Sequence, residues 1–208
     1  VDHKDAFLDT YALERDRGIT IFSKQAVFSL GNKKVNLLDT PGHVDFSAEM
    51  ERTLQVLDYA VLVISGADGV QGHTETLWKL LKLYDIPTFI FINKMDQQGT
   101  DQAALLSELK ERLDEGCIAF GKGESTETLE ELAMTDEKVL DYFMEHESIR
   151  KEDICRLIKE RRVFPCYFGS ALKLEGVQEL MDGMSAYIER NEQINNPDTG
   201  TGDFGAKV

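Results

Sequence analysis

Residues 33–43, KKVNLLDTPGH, place a short apolar strand directly before a loop that begins at Asp39 and turns through Thr40-Pro41-Gly42. A carboxylate, a proline suited to a β-turn and a glycine after a buried strand give a loop whose backbone N–H groups can approach an anion closely. The same string is also compatible with an ordinary structural turn. The other motifs of the chain therefore have to decide between a ligand site and a simple turn.

Three positions in this loop suit a nucleotide phosphate site. Asp39 can hold a hydrated Mg²⁺, because that cation takes oxygen ligands and keeps several waters. Gly42 can bring a bare N–H to a terminal phosphate, since it has no Cβ. The imidazole of His43 can orient an attacking water. We therefore predict that the chemistry of the protein is centred on this loop.

The composition is that of one globular domain, alone or with a fragment of a second. The 208 residues are 42% apolar and 29% charged, and the sequence has no run of eighteen apolar residues that would predict a membrane span. The net charge of −15 argues against a broad basic surface for nucleic acid. The three cysteines and four histidines lack disulfide or metal-ligand spacing, which indicates buried thiols in a reduced, cytoplasmic protein.

The middle of the chain alternates between apolar strands and helices. Strands are predicted at 59–64, 87–92 and 163–168, with helices at about 74–84 and 175–190. Repeated strand, loop and helix units indicate right-handed crossovers and a mostly parallel sheet covered by helices on both faces. Ligands of such sheets bind at the carboxyl ends of the strands.

The start of the chain has a different pattern. Strand-like residues from Ile19, followed by a tight turn at Gly31-Asn32, predict a β-hairpin whose second strand covers 35–38. After the central loop, a helix is predicted from Asp45 to about Leu57.

Residues 101–162 interrupt the alternation with acidic, helical sequence. Helices are predicted at about 101–115, 125–146 and 150–161. We interpret the region as an insertion packed beside the sheet, and we expect its carboxylates to form a solvated surface rather than a site.

NKMD at 93–96 follows a predicted strand and suits recognition of guanine. Guanine presents two adjacent donors, N1–H and the exocyclic amine, which the carboxylate of Asp96 can accept, whereas adenine presents an acceptor at N1. Lys94 can lay its aliphatic stem along the base, and Asn93 can tie neighbouring loops together. Residues 170–172, SAL, follow the last strand and can offer a backbone N–H to the guanine O6.

The string RGIT at 17–20 precedes the hairpin. The Thr20 hydroxyl can ligate Mg²⁺, and its segment can become ordered only when a terminal phosphate is present, which is how nucleotide switches work. Each string alone is a weak signal. Because they occur in a fixed order, each beside a strand, we expect the loops at 39–43, 93–96 and 170–172 to converge on one rim of a shared sheet.

The strings RGIT, DTPGHVDF, NKMD and SAL, in that order, resemble the GTP-binding domain of the translational GTPases, on the elongation factor G side. Factors like elongation factor Tu usually have DCPGH where this chain has DTPGH, and their segment matching 97–169 is shorter. The phrases VLDYAVLVISGADGVQGHTETLW and IPTFIFINKMDQQGTD are most similar to the ribosomal protection proteins that confer tetracycline resistance. Release factor three and the back-translocating factor share the same short motifs.

The resemblance implies a role for each matching position. Thr20 would hold Mg²⁺ and the γ-phosphate, Asp39 would bind Mg²⁺ through water, and Gly42 would contact the γ-phosphate. His43 would place the hydrolytic water. Guanine would be read by Asn93, Lys94 and Asp96, with Ser170, Ala171 and Leu172 beside them.

The resemblance also implies the organisation and setting of the protein. It implies a P-loop NTPase-like α/β domain over 1–190, followed within 191–208 by a linker and the first strand of a β-barrel. It implies GTP or GDP and Mg²⁺ as cofactors, and GTP hydrolysis by the full-length parent in the cytoplasm. The implied partner is the ribosome, through ribosomal RNA and stalk proteins, with no membrane.

One part of the family pattern is absent from the sequence. The phosphate loop G-x-x-x-x-G-K-[ST] belongs ahead of RGIT, and nothing before Arg17 matches it. Residues 116–122 have the glycine spacing, but Gly123 stands at the hydroxyl position and the string lies between predicted helices, so we interpret it as a coincidence. We therefore expect a fragment of a longer protein that binds GTP poorly and associates through exposed sheet edges.

Two other interpretations stay open from the sequence. A GTPase-like domain that has lost catalysis would act only as a ribosome-binding module. An α/β domain with no nucleotide at all is the remaining alternative.

Overall fold

The computed structural model describes residues 24–40, 52–121, 123 and 125–189. Its elements, in chain order, are β1 (Lys24–Leu30), β2 (Lys33–Asp39), β3 (Ala60–Ser65), α1 (Gly72–Leu83), β4 (Thr88–Asn93), α2 (Gln102–Arg112), β5 (Cys117–Ala119), α3 (Thr126–Ala133), α4 (Glu137–His146), α5 (Lys151–Lys159), β6 (Phe164–Phe168) and α6 (Val177–Tyr187). A 3₁₀ turn, Ala171–Lys173, lies between β6 and α6.

Four strands form one parallel sheet in the order β3-β4-β6-β5. The first five residues of β4 are buried, because helices cover both faces of the sheet. Ile90 and Ile92 face a core shared with α1 and α2, while Phe89 and Phe91 face a core shared with α5 and α6. The α/β class predicted from the alternation is therefore confirmed.

The core on the first face is organised around the chain's one tryptophan. The indole N–H of Trp78 in α1 donates to the backbone oxygen of Leu113, just after α2, at 3.0 Å. Its ring packs edge-on against Phe164 of β6, with ring centroids 4.6 Å apart. A single aromatic side chain thus joins two helices to the sheet.

The predicted hairpin is present in the described residues. β1 pairs antiparallel with β2, and Leu30 is opposite Lys33 across the two-residue turn. Gly31 has a φ of +59°, a conformation that glycine adopts without strain. The hairpin contacts α6 through Lys33, whose Nζ donates to the backbone oxygens of Ser185 and Ile188 at 2.6 Å each.

The insertion contains a strand that the sequence prediction missed. β5 pairs in parallel with β6, with Cys117 opposite Phe164. It lies between the helices predicted at about 101–115 and 125–146, so the prediction that the whole insertion packs beside the sheet was wrong. Three residues are too few to show a periodicity, and burial against β6 decides their conformation. The 116–122 string therefore has a strand inside it, where a phosphate loop needs a flexible turn.

The predicted helix at 125–146 is in fact two helices. α3 ends at Ala133, and α4 begins at Glu137 after Asp136, whose side chain accepts from the backbone N–H groups of Lys138 at 3.0 Å and Val139 at 3.3 Å. An aspartate in this position is an N-cap, and that cap starts a new helix.

Arginines hold the α3–α5 region together. The carboxylate of Asp136 accepts from Arg162 at 2.5 Å and Arg156 at 3.5 Å, and Asp153 accepts from Arg150 at 2.7 Å and Arg156 at 3.4 Å. Burial alone would raise the pKa of Asp136, but the hydrogen bonds from Arg162, the Val139 N–H and Arg156 together hold that pKa below its usual value.

The three cysteines are free thiols buried in the core, as their spacing indicated. Burial raises the pKa of the Cys166 thiol well above its ordinary value. Within the described ranges, every helix is too short or too polar to cross a lipid bilayer.

Candidate functional site

The loops that follow β4 and β6 meet at the carboxyl end of the parallel sheet. The Gly169 N–H donates to the backbone oxygen of Ile92 at 2.9 Å, and the Met95 N–H donates to the backbone oxygen of Gly169 at 2.9 Å. The NKMD and SAL strings, 77 positions apart from Asn93 to Ser170, are therefore held side by side by main-chain bonds.

The side chain of Asn93 joins the two loops. Its Oδ1 accepts from the backbone N–H of Lys94 and from that of Ala171, each at 2.8 Å. This contact leaves the Ala171 N–H occupied. The neighbouring Leu172 N–H has no hydrogen-bond partner in the part of the chain described here, so it is the donor of this turn that is open to a ligand.

Asp96 lies beside the SAL turn, where neighbouring groups lower the pKa of its carboxyl group. A hydrogen bond from the buried hydroxyl of Ser170 is the main cause that holds the pKa of Asp96 below its usual range, and the ammonium of Lys173 adds to it. The Lys173 Nζ is 3.6 Å from Oδ2 of Asp96. A carboxylate that stays charged is an acceptor for two adjacent donors on a ligand.

Lys94 has a backbone conformation that is unusual for a lysine. Its φ is +63°, and its backbone oxygen accepts from the Gln97 N–H at 3.1 Å. Non-glycine residues in this region of φ occur preferentially at functional sites, because the surrounding structure has to impose the strain.

A backbone clamp that sequence reasoning missed holds the SAL turn. The N–H groups of Ser170 and Glu175 each donate to the other's backbone oxygen at 3.0 Å. A Cβ added to Gly169 would lie 2.0 Å from the backbone oxygen of Glu175, and Gly176 has a φ of +73°. The two glycines were the available signal, because both positions exclude other residues.

The clamp also presents an apolar side chain. Leu172 is 88% exposed, although it lies in a tight turn next to the polar groups of Asn93 and Asp96. An exposed leucine beside hydrogen-bonding groups can pack on the face of a planar ligand that those groups bind.

A third strand end lies at the same rim and was also missed. The Gly66 N–H donates to the backbone oxygen of Asn93 at 2.7 Å. The adjacent Ser65 hydroxyl, at the end of β3, is buried and has no partner among the described residues. Because a lone serine carries no motif, nothing in the sequence singled it out.

The structure brings some of the predicted site residues together. Asn93, Lys94 and Asp96 lie with Ser170, Ala171 and Leu172 at one rim, as expected. Asp39 ends β2 in the hairpin, and the convergence of its loop with that rim stays a prediction. Thr20, Gly42 and His43, the helix predicted from Asp45 (apart from its last residues) and the segments at 191–203 and 204–208 lie outside the described residues.

The groups at the rim fit a guanine base. They are one carboxylate acceptor, one open backbone N–H donor and one apolar side chain, all within a single pair of loops. Among the described residues, no group of three or more His, Cys, Asp or Glu side chains could hold a metal ion.

Comparisons with known proteins show the family of this chain. The family model described as the elongation factor Tu GTP binding domain matches residues 1–190. Tetracycline resistance protein TetW of Butyrivibrio fibrisolvens is 36% identical over 196 residues, which cover 87% of this chain and 31% of the relative. Tetracycline resistance protein TetM of Streptomyces lividans is 37% identical over 206 residues, covering 90% of this chain and 32% of the relative.

A second kind of relative is a translation factor. Mitochondrial elongation factor G of Anopheles gambiae is 32% identical, with coverage of 94% of this chain and 33% of the relative. The chain thus spans about a third of the length of the relatives it matches. The crystal structure of a protein from Thermus thermophilus has the same fold, with a TM-score of 0.76 at 21% identity over 88% of this chain and 34% of that one. The chain belongs to the family of the elongation factor Tu GTP binding domain.

Proposed function

We propose that this chain is the guanine-nucleotide-binding part of a ribosome-associated translational GTPase. The observation that carries the proposal is the junction at Asn93, which fixes the Asp96 loop against the SAL turn. That junction places an ionised carboxylate next to an open backbone N–H, the pair of groups that complements the edge of guanine.

Recognition of the base follows from the chemistry of these groups. The Asp96 carboxylate accepts from guanine N1–H and the exocyclic amine, and the Leu172 N–H donates to O6. The Lys94 stem and the Leu172 side chain pack on the faces of the ring. Because a carboxylate has no proton to donate to the acceptor at adenine N1, adenine is rejected.

The residues at the phosphate end of the site are assigned from the sequence motifs. Thr20 would hold Mg²⁺ directly and Asp39 would hold it through water, and the cation would supply neutralisation of the charge on the nucleotide phosphates. Gly42 contacts the γ-phosphate, and His43 orients the hydrolytic water. These roles belong to the intact parent protein, as does the hydrolysis of GTP.

The partner of the parent protein is the ribosome, through ribosomal RNA and stalk proteins. Two relatives carry the name tetracycline resistance protein, which supports ribosomal protection against tetracycline as the cellular role. A translation factor of the elongation factor G, release factor three or back-translocating type is the alternative. An inactive ribosome-binding module is a further alternative, and a missing phosphate loop in the parent gene would favour it.

Substitution of Asp96 tests the reading of guanine. In the full-length protein, Asp96→Asn replaces an acceptor pair with one donor and one acceptor, which suits xanthine, whose C2 carries an oxygen instead of an amine. We expect affinity for GDP to fall by about a hundredfold or more and affinity for xanthosine diphosphate to rise. Equilibrium titration with both nucleotides measures this, with Asp141→Asn on α4 as a control that keeps GDP affinity. Unchanged GDP affinity in Asp96→Asn would contradict the proposal.

Substitution of His43 tests the hydrolytic step. His43→Ala in the full-length protein should sharply lower ribosome-stimulated GTP hydrolysis and leave GTP binding intact. Turnover equal to that of the wild type would remove His43 from the mechanism.

The 208-residue chain by itself gives a separate test. Because no phosphate-loop string precedes Arg17 in it, we expect weak or undetectable binding of GDP with Mg²⁺ in calorimetry, and self-association through sheet edges in light scattering. Tight GDP binding by this chain would show that the missing string is not needed.

A further inference from the structure

The loop that carries Asp96 turns back before α2 begins. Gly99 has a φ of +88°, and the next residue, Thr100, is half-buried. The Thr100 hydroxyl lies 2.9 Å from the backbone oxygen of Met95 and 2.9 Å from that of Gln97. One side chain therefore holds the main chain directly before and directly after Asp96.

Thr100 is itself anchored by the helix that follows it. Asp101 is the N-cap of α2, and its carboxylate accepts from the backbone N–H of Ala104 at 2.7 Å. An aspartate in this position stabilises the first turn of a helix. Thr100 thus joins the Asp96 loop to the start of α2.

Met95 has both of its main-chain groups occupied. Its N–H donates to the backbone oxygen of Gly169 at 2.9 Å, and its own oxygen accepts from Thr100. The SAL turn, by contrast, contacts the Asp96 carboxylate itself. The carboxylate is therefore held by the SAL turn, and the backbone that carries it is held by Thr100.

The direction of a carboxylate decides whether it can accept two hydrogen bonds at once. Guanine presents N1–H and the exocyclic amine side by side, so both oxygens of Asp96 have to be placed together. Hydrogen bonds weaken steeply as the angle at the hydrogen departs from linear. A small rotation of the main chain at 95–97 would move both oxygens away from their donors, and the Thr100 contacts oppose that rotation.

We propose that Thr100 is a positioning residue for guanine, whose hydroxyl aims the Asp96 carboxylate at N1–H and the exocyclic amine. This inference rests on the proposed function and adds a residue to it. The hydroxyl has one hydrogen, which the backbone oxygens of Met95 and Gln97 share or receive in turn. Its removal would release both oxygens, so Thr100 acts through Asp96 and not by contact with the base.

Inosine diphosphate is the probe for this role, because its base keeps the N1–H of guanine and lacks the exocyclic amine. Equilibrium titration of the full-length protein with GDP and with inosine diphosphate gives the preference for the amine. We expect the wild type to bind GDP about tenfold or more tightly, since the amine donates to a charged acceptor.

Thr100→Val replaces the hydroxyl with a methyl group of similar size. Two bonds to Asp96 are misaligned when GDP binds, and one when inosine diphosphate binds. We therefore expect the affinity for GDP to fall by about tenfold and that for inosine diphosphate by about threefold, so that the preference for GDP falls by about threefold.

Two variants serve as controls. Thr100→Ser keeps the hydroxyl and should keep the preference for GDP within about twofold of the wild type. Thr135→Val removes a hydroxyl that donates to the backbone oxygen of Leu132 at 2.7 Å, in the turn between α3 and α4, and should leave the preference unchanged. If circular dichroism shows that Thr100→Val does not fold, Thr100→Ala, which also lacks the hydroxyl and is smaller, replaces it.

A merely structural role for Thr100 would weaken the binding of both nucleotides equally, and that result would overturn the proposal. An equal loss of GDP affinity when Thr100→Val is added to the wild type and to Asp96→Ala would also overturn it, because a residue that acts through Asp96 has no effect once the carboxylate is gone.

The wild type separates failure of this inference from failure of the proposed function. Equal binding of GDP and inosine diphosphate by the wild type would overturn the reading of guanine by Asp96, and this inference with it. A wild-type preference for GDP that Thr100→Val leaves intact would overturn the role of Thr100 alone.

Discussion

The rim loops after β4 and β6 and the α3–α5 region are both held by polar interactions, but of different kinds. At the rim, main-chain groups and one asparagine side chain join the loops directly. In the α3–α5 region, arginine side chains reach to Asp136 from 20 and 26 positions away. The rim is thus fixed by backbone geometry, and the insertion by charge.

The largest expected effect is at the rim. Gly169→Ala places a Cβ 2.0 Å from the backbone oxygen of Glu175, and backbone cannot move aside as a flexible side chain does. We expect the free energy of unfolding to fall by about 3 kcal/mol, as measured by urea denaturation.

A glycine in open space is the control for that substitution. A Cβ added to Gly72, the first residue of α1, meets nothing within 4 Å. Gly72→Ala should therefore change the unfolding free energy by no more than about 1 kcal/mol, in the stabilising direction. If both alanines had the same effect, the backbone clamp would not be what fixes the rim.

A smaller effect is expected at the centre of the insertion. Asp136→Ala removes the N-cap of α4 and leaves Arg162 and Arg156 without their shared carboxylate. We expect a loss of about 2 kcal/mol, measured in the same denaturation experiment. Asp141→Ala on the exposed side of the same helix should stay within about 0.5 kcal/mol of the wild type. Equal losses would mean that the arginines do not hold the insertion.

The smallest effect is a dependence on pH. The pKa of Asp136 is lowered in the folded protein. The ionised carboxylate therefore adds to the free energy of unfolding above the ordinary aspartate pKa of about 4, and this stabilisation is lost as pH falls through the lower pKa of the folded protein. The stability difference between wild type and Asp136→Ala should therefore be constant near neutral pH and shrink below about pH 4. A difference that stays constant into acid would show that the charge of Asp136 is not what the arginines use.

The contrast between the rim loops and the α3–α5 region also explains which parts of the structure could be predicted from the sequence. NKMD and SAL are short contiguous strings at the ends of apolar strands, so both their position and their proximity follow from the α/β alternation. β5 could not be predicted, because three residues have no periodicity and only burial against β6 makes them a strand. The break at Asp136 was available as a capping signal, but it competes with an otherwise continuous helical pattern.

The residues that sequence reasoning missed have one property in common. Gly169, Glu175 and Ser65 act through backbone approach or burial, which depend on neighbours distant in the sequence. A motif identifies side chains that touch a ligand. It does not identify the positions that make room for them.

The single tryptophan makes the molecule its own optical reporter. Because Trp78 joins α1, the end of α2 and β6, its indole emission should shift to longer wavelength as soon as that junction takes up water. Excitation at the red edge of protein absorption selects this one ring over the six tyrosines. Local loosening of the sheet could thus be timed in the unlabelled protein, apart from events in the acidic helices.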